Sequence, residues 1–212
     1  MRPKFKTVLF DLDDTLVKAH EHIFRAFNHS LEKNGFAKIS EADLSAIAGV
    51  PLHKCYEKFA GSKVEQLVED HRKFQVQHMD LIEKYAGVDE LLQKLRESGV
   101  KTAIVTARYR NTTDLIVKQT GLGKLVDKVV AGDDFPEGKP HPRPFLEAAK
   151  QVGVLPKECL VVGDGCADIA GGNAAGSKTC RALYGYGASQ ECGVKSDFEA
   201  SLPLEVLAIV LG

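Results

Sequence analysis

The chain has no tryptophan, no Cys-x-x-Cys pair, no His-x-x-x-His pair and no long run of one charge. Without tryptophan, intrinsic fluorescence reports only tyrosine. The five cysteines are scattered and odd in number, which argues against a disulfide framework and against a structural zinc site. Cys159 and Cys180 adjoin apolar runs and read as core residues, and no redox role is expected of Cys166. With 28 basic and 29 acidic residues the net charge is −1, so the electrostatic footprint of a nucleic-acid binder is missing. Long apolar stretches are missing too. The run before Asp11 is too short for a signal peptide. The tail from Leu202 to Leu211 is broken by Pro203 and Glu205 and too short to span a bilayer. No membrane association and a cytoplasmic location are the resulting expectations. Gly171-Gly172 are not a Walker-type phosphate loop, which needs Gly-x-x-x-x-Gly-Lys-Ser/Thr. No internal repeat or low-complexity tract is visible.

What is present is ordinary in bulk and specific in pattern. The 212 residues, 44% of them hydrophobic, suffice for one full core or for a core with a small insert. From Val88 onward strands and helices alternate. A helix carrying Val88, Leu91, Leu92 and Leu95 stops near Ser98-Gly99, and a strand then runs to Thr106. A helix from about Thr112 to Thr120, a strand near Val129, a helix from Arg143 to Val152 and a strand into Asp164 follow. A helix from Ala167 and a short strand from Lys178 to Ala182 complete the series. Such alternation predicts an α/β fold, a Rossmann-like parallel sheet that residues 7 to 11 must join. Residues 17–86 show no convincing strand. Ile23, Phe27 and Leu31 fall at helical spacing, Asn34-Gly35 is a stop, and Ser40-x-x-Asp43 and Ser62-x-x-Glu65 look like helix starts. A structureless loop of that length does not fit a compact domain. The spacing predicts a small helical domain at 17–86 inserted into a core made of 1–16 and 87–212.

Four strands end in polar groups, at the edge where open parallel sheets bind ligands. Val8-Leu9-Phe10 runs into Asp11-Leu12-Asp13-Asp14-Thr15, with Asp11 and Asp13 on one side of extended backbone. Ala103-Ile104-Val105 runs into Thr106. Lys128 to Ala131 is followed by Gly138-Lys139-Pro140-His141-Pro142. Leu160-Val161-Val162 runs into Gly163-Asp164-Gly165-Cys166-Ala167-Asp168. Each group has a bland reading: an acidic turn for Asp11 and Asp13, a strand end for Thr106, a solvated loop for Lys139, a helix N-terminus for Asp164 and Asp168. Their order along the chain is what lifts them above it.

This set resembles the four motifs of the haloacid dehalogenase superfamily, most of whose members are magnesium-dependent phosphatases, and the resemblance covers nearly the whole chain. It implies that the insert is a helical cap over the active site. It implies Asp11 as the nucleophile that forms an aspartyl phosphate and Asp13 as general acid and then base, with the Asp13 backbone carbonyl on the metal. Thr106 and the amide of Ala107 would bind the phosphoryl group, and Lys139 would offset its charge. Mg²⁺ would be held by Asp11, Asp13 and Asp164, with Asp168 on a metal-bound water or orienting Lys139. Arg108 and Arg110 follow Thr106 closely and are candidates for an anionic substrate. Asp13 sets the chain apart from a haloacid dehalogenase, which lacks an acid two residues after its nucleophile. A phosphonate hydrolase would carry a lysine three residues after a glycine of the cap, where Gly49 is followed by Leu52. The resemblance runs towards phosphoglycolate phosphatases and a related inorganic pyrophosphatase branch, with a sugar-phosphate phosphatase or mutase also open. The non-enzyme alternative, a phospho-receiver domain, places its acidic pair and phosphorylated Asp differently. The expected partner is a small phosphorylated metabolite, and the expected state a monomer or weak dimer.

Overall fold

The first strand, β1 (Thr7–Phe10), is buried along its whole length, as a strand covered on both faces must be. In the computed structural model, which describes residues 3–47 and 50–212, it lies at the centre of a six-stranded sheet. Gly49, on which the phosphonate hydrolase comparison turned, is outside the described residues. The remaining elements follow in chain order. They are β2 (Val17–Lys18), α1 (His20–Lys33), α2 (Glu41–Ser45), α3 (Leu52–Ala60), α4 (Val64–Gln77) and β3 (Glu83–Lys84). Then come α5 (Val88–Glu97), β4 (Lys101–Val105), α6 (Arg110–Gln119), β5 (Lys128–Val130), α7 (Arg143–Val152) and β6 (Cys159–Gly163). The series ends with α8 (Cys166–Ala174), β7 (Lys178–Ala182), β8 (Phe198–Ala200) and α9 (Glu205–Leu211).

The sheet runs β5-β4-β1-β6-β7-β8 with every neighbouring pair parallel. Register fixes where the functional side chains emerge. Phe10 lies opposite Ile104 of β4 and Val162 of β6, so Asp11, Thr106 and Asp164 leave the sheet at one edge within two residues of the same level. Val8 and Phe10 face one core with α5, α6 and α9, through Leu91, Leu92, Ile116 and Val206. Leu9 faces a second core with α7, through Phe145, Ala148 and Val152. Burying side chains of this kind contributes roughly 1.5–3 kcal/mol each.

Helices α1 to α4 enclose a third cluster of their own, centred on Phe27, Leu31, Tyr56, Leu67 and Val68. The Ser40 capping box forms, with its hydroxyl accepting from the Asp43 amide. The expected start at Ser62 does not: α4 is preceded by Lys63 at φ 54°, with no side-chain cap. Strands were not expected between 17 and 86, yet β2 and β3 pair antiparallel where the insert leaves and re-enters the core, Val17 opposite Lys84. Two residues each are too few to show a period. No helix of the described residues is long and apolar enough to cross a membrane.

Candidate active site

Beyond β1 the chain turns sharply, and Asp14 makes the turn. It sits at φ 58°, a conformation an aspartate tolerates better than most residues. Its carboxylate accepts the amides of Ala19 and His20 at 2.9 and 3.1 Å. Asp14 is thereby engaged in backbone bonds, and Asp11 and Asp13 are left to face the cavity. Thr15 is buried and points back at β6: its hydroxyl accepts the Asp164 amide at 3.1 Å and donates to the Asp164 carboxylate at 3.3 Å. The Gly187 amide holds the other Asp164 oxygen at 2.7 Å. Two glycines make room for these acids. A Cβ on Gly163 would come within 2.3 Å of Asp168, and one on Gly185 within 2.3 Å of both Asp164 and the Asp14 carbonyl.

Lys139 lies buried between two carboxylates, its ammonium 2.6 Å from Asp11 and 2.6 Å from Asp168. Burial opposes its charge, but the two carboxylates outweigh that and push its pKa up. Asp168 also accepts the Gly165 amide at 3.2 Å at the start of α8. One carboxylate oxygen each of Asp11, Asp164 and Asp168 gathers within 4.8 Å. Burial, together with mutual repulsion, raises the pKa of both Asp11 and Asp164. A crowded, buried, all-oxygen donor set suits a hard divalent cation such as Mg²⁺, and the residues present fit that ion. The Asp13 side chain stands outside the trio.

Thr106 is buried at the end of β4, and its hydroxyl oxygen accepts the Arg108 amide at 3.1 Å. Its own proton remains available to an oxygen in the cavity. Ala107 lines the cavity beside it. Gly132 is pressed against the Ala107 carbonyl, which a Cβ would approach to 2.1 Å, so the β5 loop buttresses the Thr106 turn. Arg108 is buried and forks the Asp13 carboxylate, with Nε at 3.0 and 3.1 Å and Nη2 at 2.8 Å. Arg110 is a correction. Its side chain leaves the site to pair with Asp134 and Asp114 and to donate to the Val129 carbonyl at 3.0 Å. Two carboxylates on its own side of α6 hold it as a structural residue.

Asp11, Asp13, Thr106, Ala107, Arg108, Lys139, Asp164 and Asp168 all line one cavity of about 700 Å³ between the sheet edge and the helical insert, a size usual for small-molecule sites. Spacing gave no hint of the residues that close it. Arg72 and His71 of α4 also line it. Burial presses the pKa of His71 well down, helped by Arg108, and brings that of His22 to about 4. Both histidines are neutral in the core of the insert. Tyr186 stacks on His20, ring centroids 3.5 Å apart, and donates to the Glu41 carbonyl at 3.1 Å. Gln190 donates to the Ser45 carbonyl at 3.2 Å.

The cysteines hold a second correction. Cys166, at the start of α8, is disulfide-bonded to Cys192, the Cα atoms 5.3 Å apart. Parity of the count cannot exclude a single bridge. The partners are 26 residues apart and meet only because the chain after β7 folds back over α8. Burial pushes the free thiols of Cys55, Cys159 and Cys180 up to about 12, as expected of core residues.

Comparison with known proteins agrees with this geometry. The family model described as haloacid dehalogenase-like hydrolase matches residues 8–182. The pyrophosphatase PpaX of Bacillus cereus is 40% identical over 177 residues, 83% of this chain and 82% of that one. A predicted phosphoglycolate phosphatase from Haemophilus somnus superposes with a TM-score of 0.87 over 97% of this chain and 98% of its own, at 24% identity. CbbY from Rhodobacter sphaeroides, crystallised with phosphate, gives a TM-score of 0.83 at 18% identity, over 95% and 96% of the two chains.

Proposed function

The chain belongs to the haloacid dehalogenase-like hydrolases, and from that premise we propose that it is a Mg²⁺-dependent phosphatase of small phosphorylated metabolites. The observation that carries this reading is the arrangement of Asp11, with Lys139 on one oxygen and Asp164 and Asp168 beside it. Asp11 attacks phosphorus and becomes the aspartyl phosphate, which splits one hard displacement into two easier ones. Asp13 protonates the leaving oxygen, then takes a proton from the water that hydrolyses the phosphoenzyme. Thr106 donates its hydroxyl, and the Ala107 amide adds a second donor, to phosphoryl oxygens in a site that excludes bulk water. Lys139 offsets charge on Asp11 and on the transferred group. Mg²⁺, held by Asp11, Asp164 and the Asp13 carbonyl with Asp168 close by, would neutralise the phosphoryl oxygens so that a carboxylate can approach them. The substrate is a small phosphomonoester of the phosphoglycolate type or inorganic pyrophosphate. The identity to PpaX favours pyrophosphate as the second reading.

Asp11→Asn keeps the shape and removes the nucleophilic charge. Turnover of nitrophenyl phosphate and of pyrophosphate with Mg²⁺ should fall to background in this variant. Activity near that of the unaltered protein would overturn the aspartyl-phosphate mechanism.

A further inference from the structure

The cavity is electrically divided. Asp11, Asp13, Asp164 and Asp168 occupy the sheet edge, and the facing helix α4 presents Arg72. Among the described residues Arg72 pairs with no carboxylate, in contrast to Arg108 and Arg110. Its guanidinium lies over the Tyr109 ring at 4.0 Å. That stacking fixes the plane of the guanidinium on a core residue three positions after Thr106. Its Nε–H is buried and has no hydrogen-bond partner. The same is true of Nη1 of Arg108, whose other nitrogens are spent on Asp13. Two arginines lining one cavity thus keep unpaired, desolvated donors, a costly arrangement unless an acceptor arrives. The fork of a guanidinium matches carboxylate and phosphate oxygens. The rest of the wall contributed by the insert is largely apolar, with Ile23, Phe27, Leu44 and Leu52, and its polar members His20, His71 and Gln75 include no second guanidinium or ammonium group.

We propose that Arg72, with the free Nη1 of Arg108, forms a distal anion subsite that recognises a negative charge on the leaving group. The preferred substrates are then phosphate esters or anhydrides whose leaving group bears its own carboxylate or phosphate. This assignment rests on the phosphatase reading and narrows it. Because Arg72 belongs to the insert and Tyr109 to the core, the subsite is complete only when the two are in contact. A charged leaving group would therefore be read at the moment of closure.

The test begins with the unaltered protein and Mg²⁺. Phosphoglycolate is compared with ethyl phosphate, which has a leaving group of similar size and no charge, and with pyrophosphate. The kcat/KM for a charged leaving group should exceed that for ethyl phosphate by at least about tenfold, mostly through KM, since each tenfold is 1.4 kcal/mol of binding. Preference for only one of the two anions supports the subsite and says whether it takes carboxylate or phosphate. Arg72→Met should erase the preference, and Arg72→Lys should restore part of it by keeping the charge without the fork. Ethyl phosphate turned over as efficiently as both anions would overturn the proposal. So would an Arg72→Met loss equal for all three substrates. Absence of Mg²⁺-dependent turnover of any ester, nitrophenyl phosphate included, would overturn the phosphatase reading itself.

Discussion

Asp13 and Arg108 meet in a three-bond fork at the cavity wall, and on the proposed mechanism this pair is where catalysis and recognition touch. As the proposed general acid, Asp13 would have to deliver a proton to the leaving oxygen, so the fork would have to loosen as substrate arrives. Asp13→Asn should retain some attack by Asp11 on nitrophenyl phosphate, whose leaving group needs no proton, and lose about 10²–10⁴-fold on alkyl phosphates. Equal losses on both, measured as kcat/KM, would count against the acid role. The same pair marks the limit of what the residues alone reveal. Asp11, Asp13, Thr106, Lys139, Asp164 and Asp168 were legible because each ends a strand or opens a loop at one edge of a parallel sheet, and order then implies proximity. Arg108 and Arg110 stood equal, two residues apart at a helix start. Only Asp134 and Asp114, placed by the fold, drew Arg110 away. Arg72 gave no signal, since a helix stripe does not say which core residue faces it.

At the scale of elements, two couplings hold the site together. The Cys166–Cys192 bridge ties the start of α8 to the turn whose Gly187 amide holds Asp164. A loop of 26 residues closed in the unfolded chain corresponds to about 3.5 kcal/mol, which in a protein of this size is on the order of 10 °C in Tm. Melting with and without reductant should show that difference, and Cys192→Ser should melt with the reduced protein whatever the buffer. Within the insert, Asp70 of α4 is 1% exposed and ties α4 to the end of α1 through Lys33 and Asn34 at 2.6 and 2.9 Å. Burial raises its pKa, but these bonds and one from Gln66 bring it down to about 2. A depressed folded pKa gives stability that is full above the unfolded value of about 3.9 and lost as pH falls through the folded one. The Tm gap between the unaltered protein and Asp70→Asn should therefore narrow between about pH 4 and pH 2. A gap constant across that range would show that Asp70 does not carry the link. The bounds of α7 match the helix expected from Arg143 to Val152. The C-terminal end of the sheet was not readable in the sequence. Strand β8 has three residues and α9 only seven, and their apolar faces make sense only against Phe5 and Val100 of the core.

For the whole molecule the question is how substrate enters a cavity of about 700 Å³ covered by the insert. Ile23 and Met79 of the insert pack against the core, and the polar contacts over the cavity include Tyr186 against His20 and Glu41, Gln190 on Ser45, Arg72 over Tyr109, and Gln119 donating to the Met79 carbonyl at 2.9 Å. The exposed hydrogen bonds among these, Tyr186 on Glu41 and Gln119 on Met79, contribute about 1 kcal/mol or less each. The two connections between insert and core run side by side as the β2–β3 ribbon, with the Tyr85 amide bonded to the Leu16 carbonyl at 3.1 Å. With its own core and one short ribbon joining it to the sheet, the insert is proposed to open and close as a body. On that reading closure would exclude water and bring Arg72 to the distal end of the site, so the enclosed space would limit the leaving group. Catalytic efficiency should therefore fall as the leaving group grows, and intact phosphoproteins should not be turned over. Beryllofluoride with Mg²⁺, a mimic of the phosphorylated Asp11, should slow hydrogen exchange of amides on α1 and α4 that face the cavity. Tyr186→Ala removes a rim contact without touching the acids. It should raise exchange in those helices and KM together, with a smaller change in single-turnover chemistry at saturating substrate. Exchange on α1 and α4 unmoved by the mimic, or rapid turnover of a phosphoprotein, would show that the insert does not close over the site.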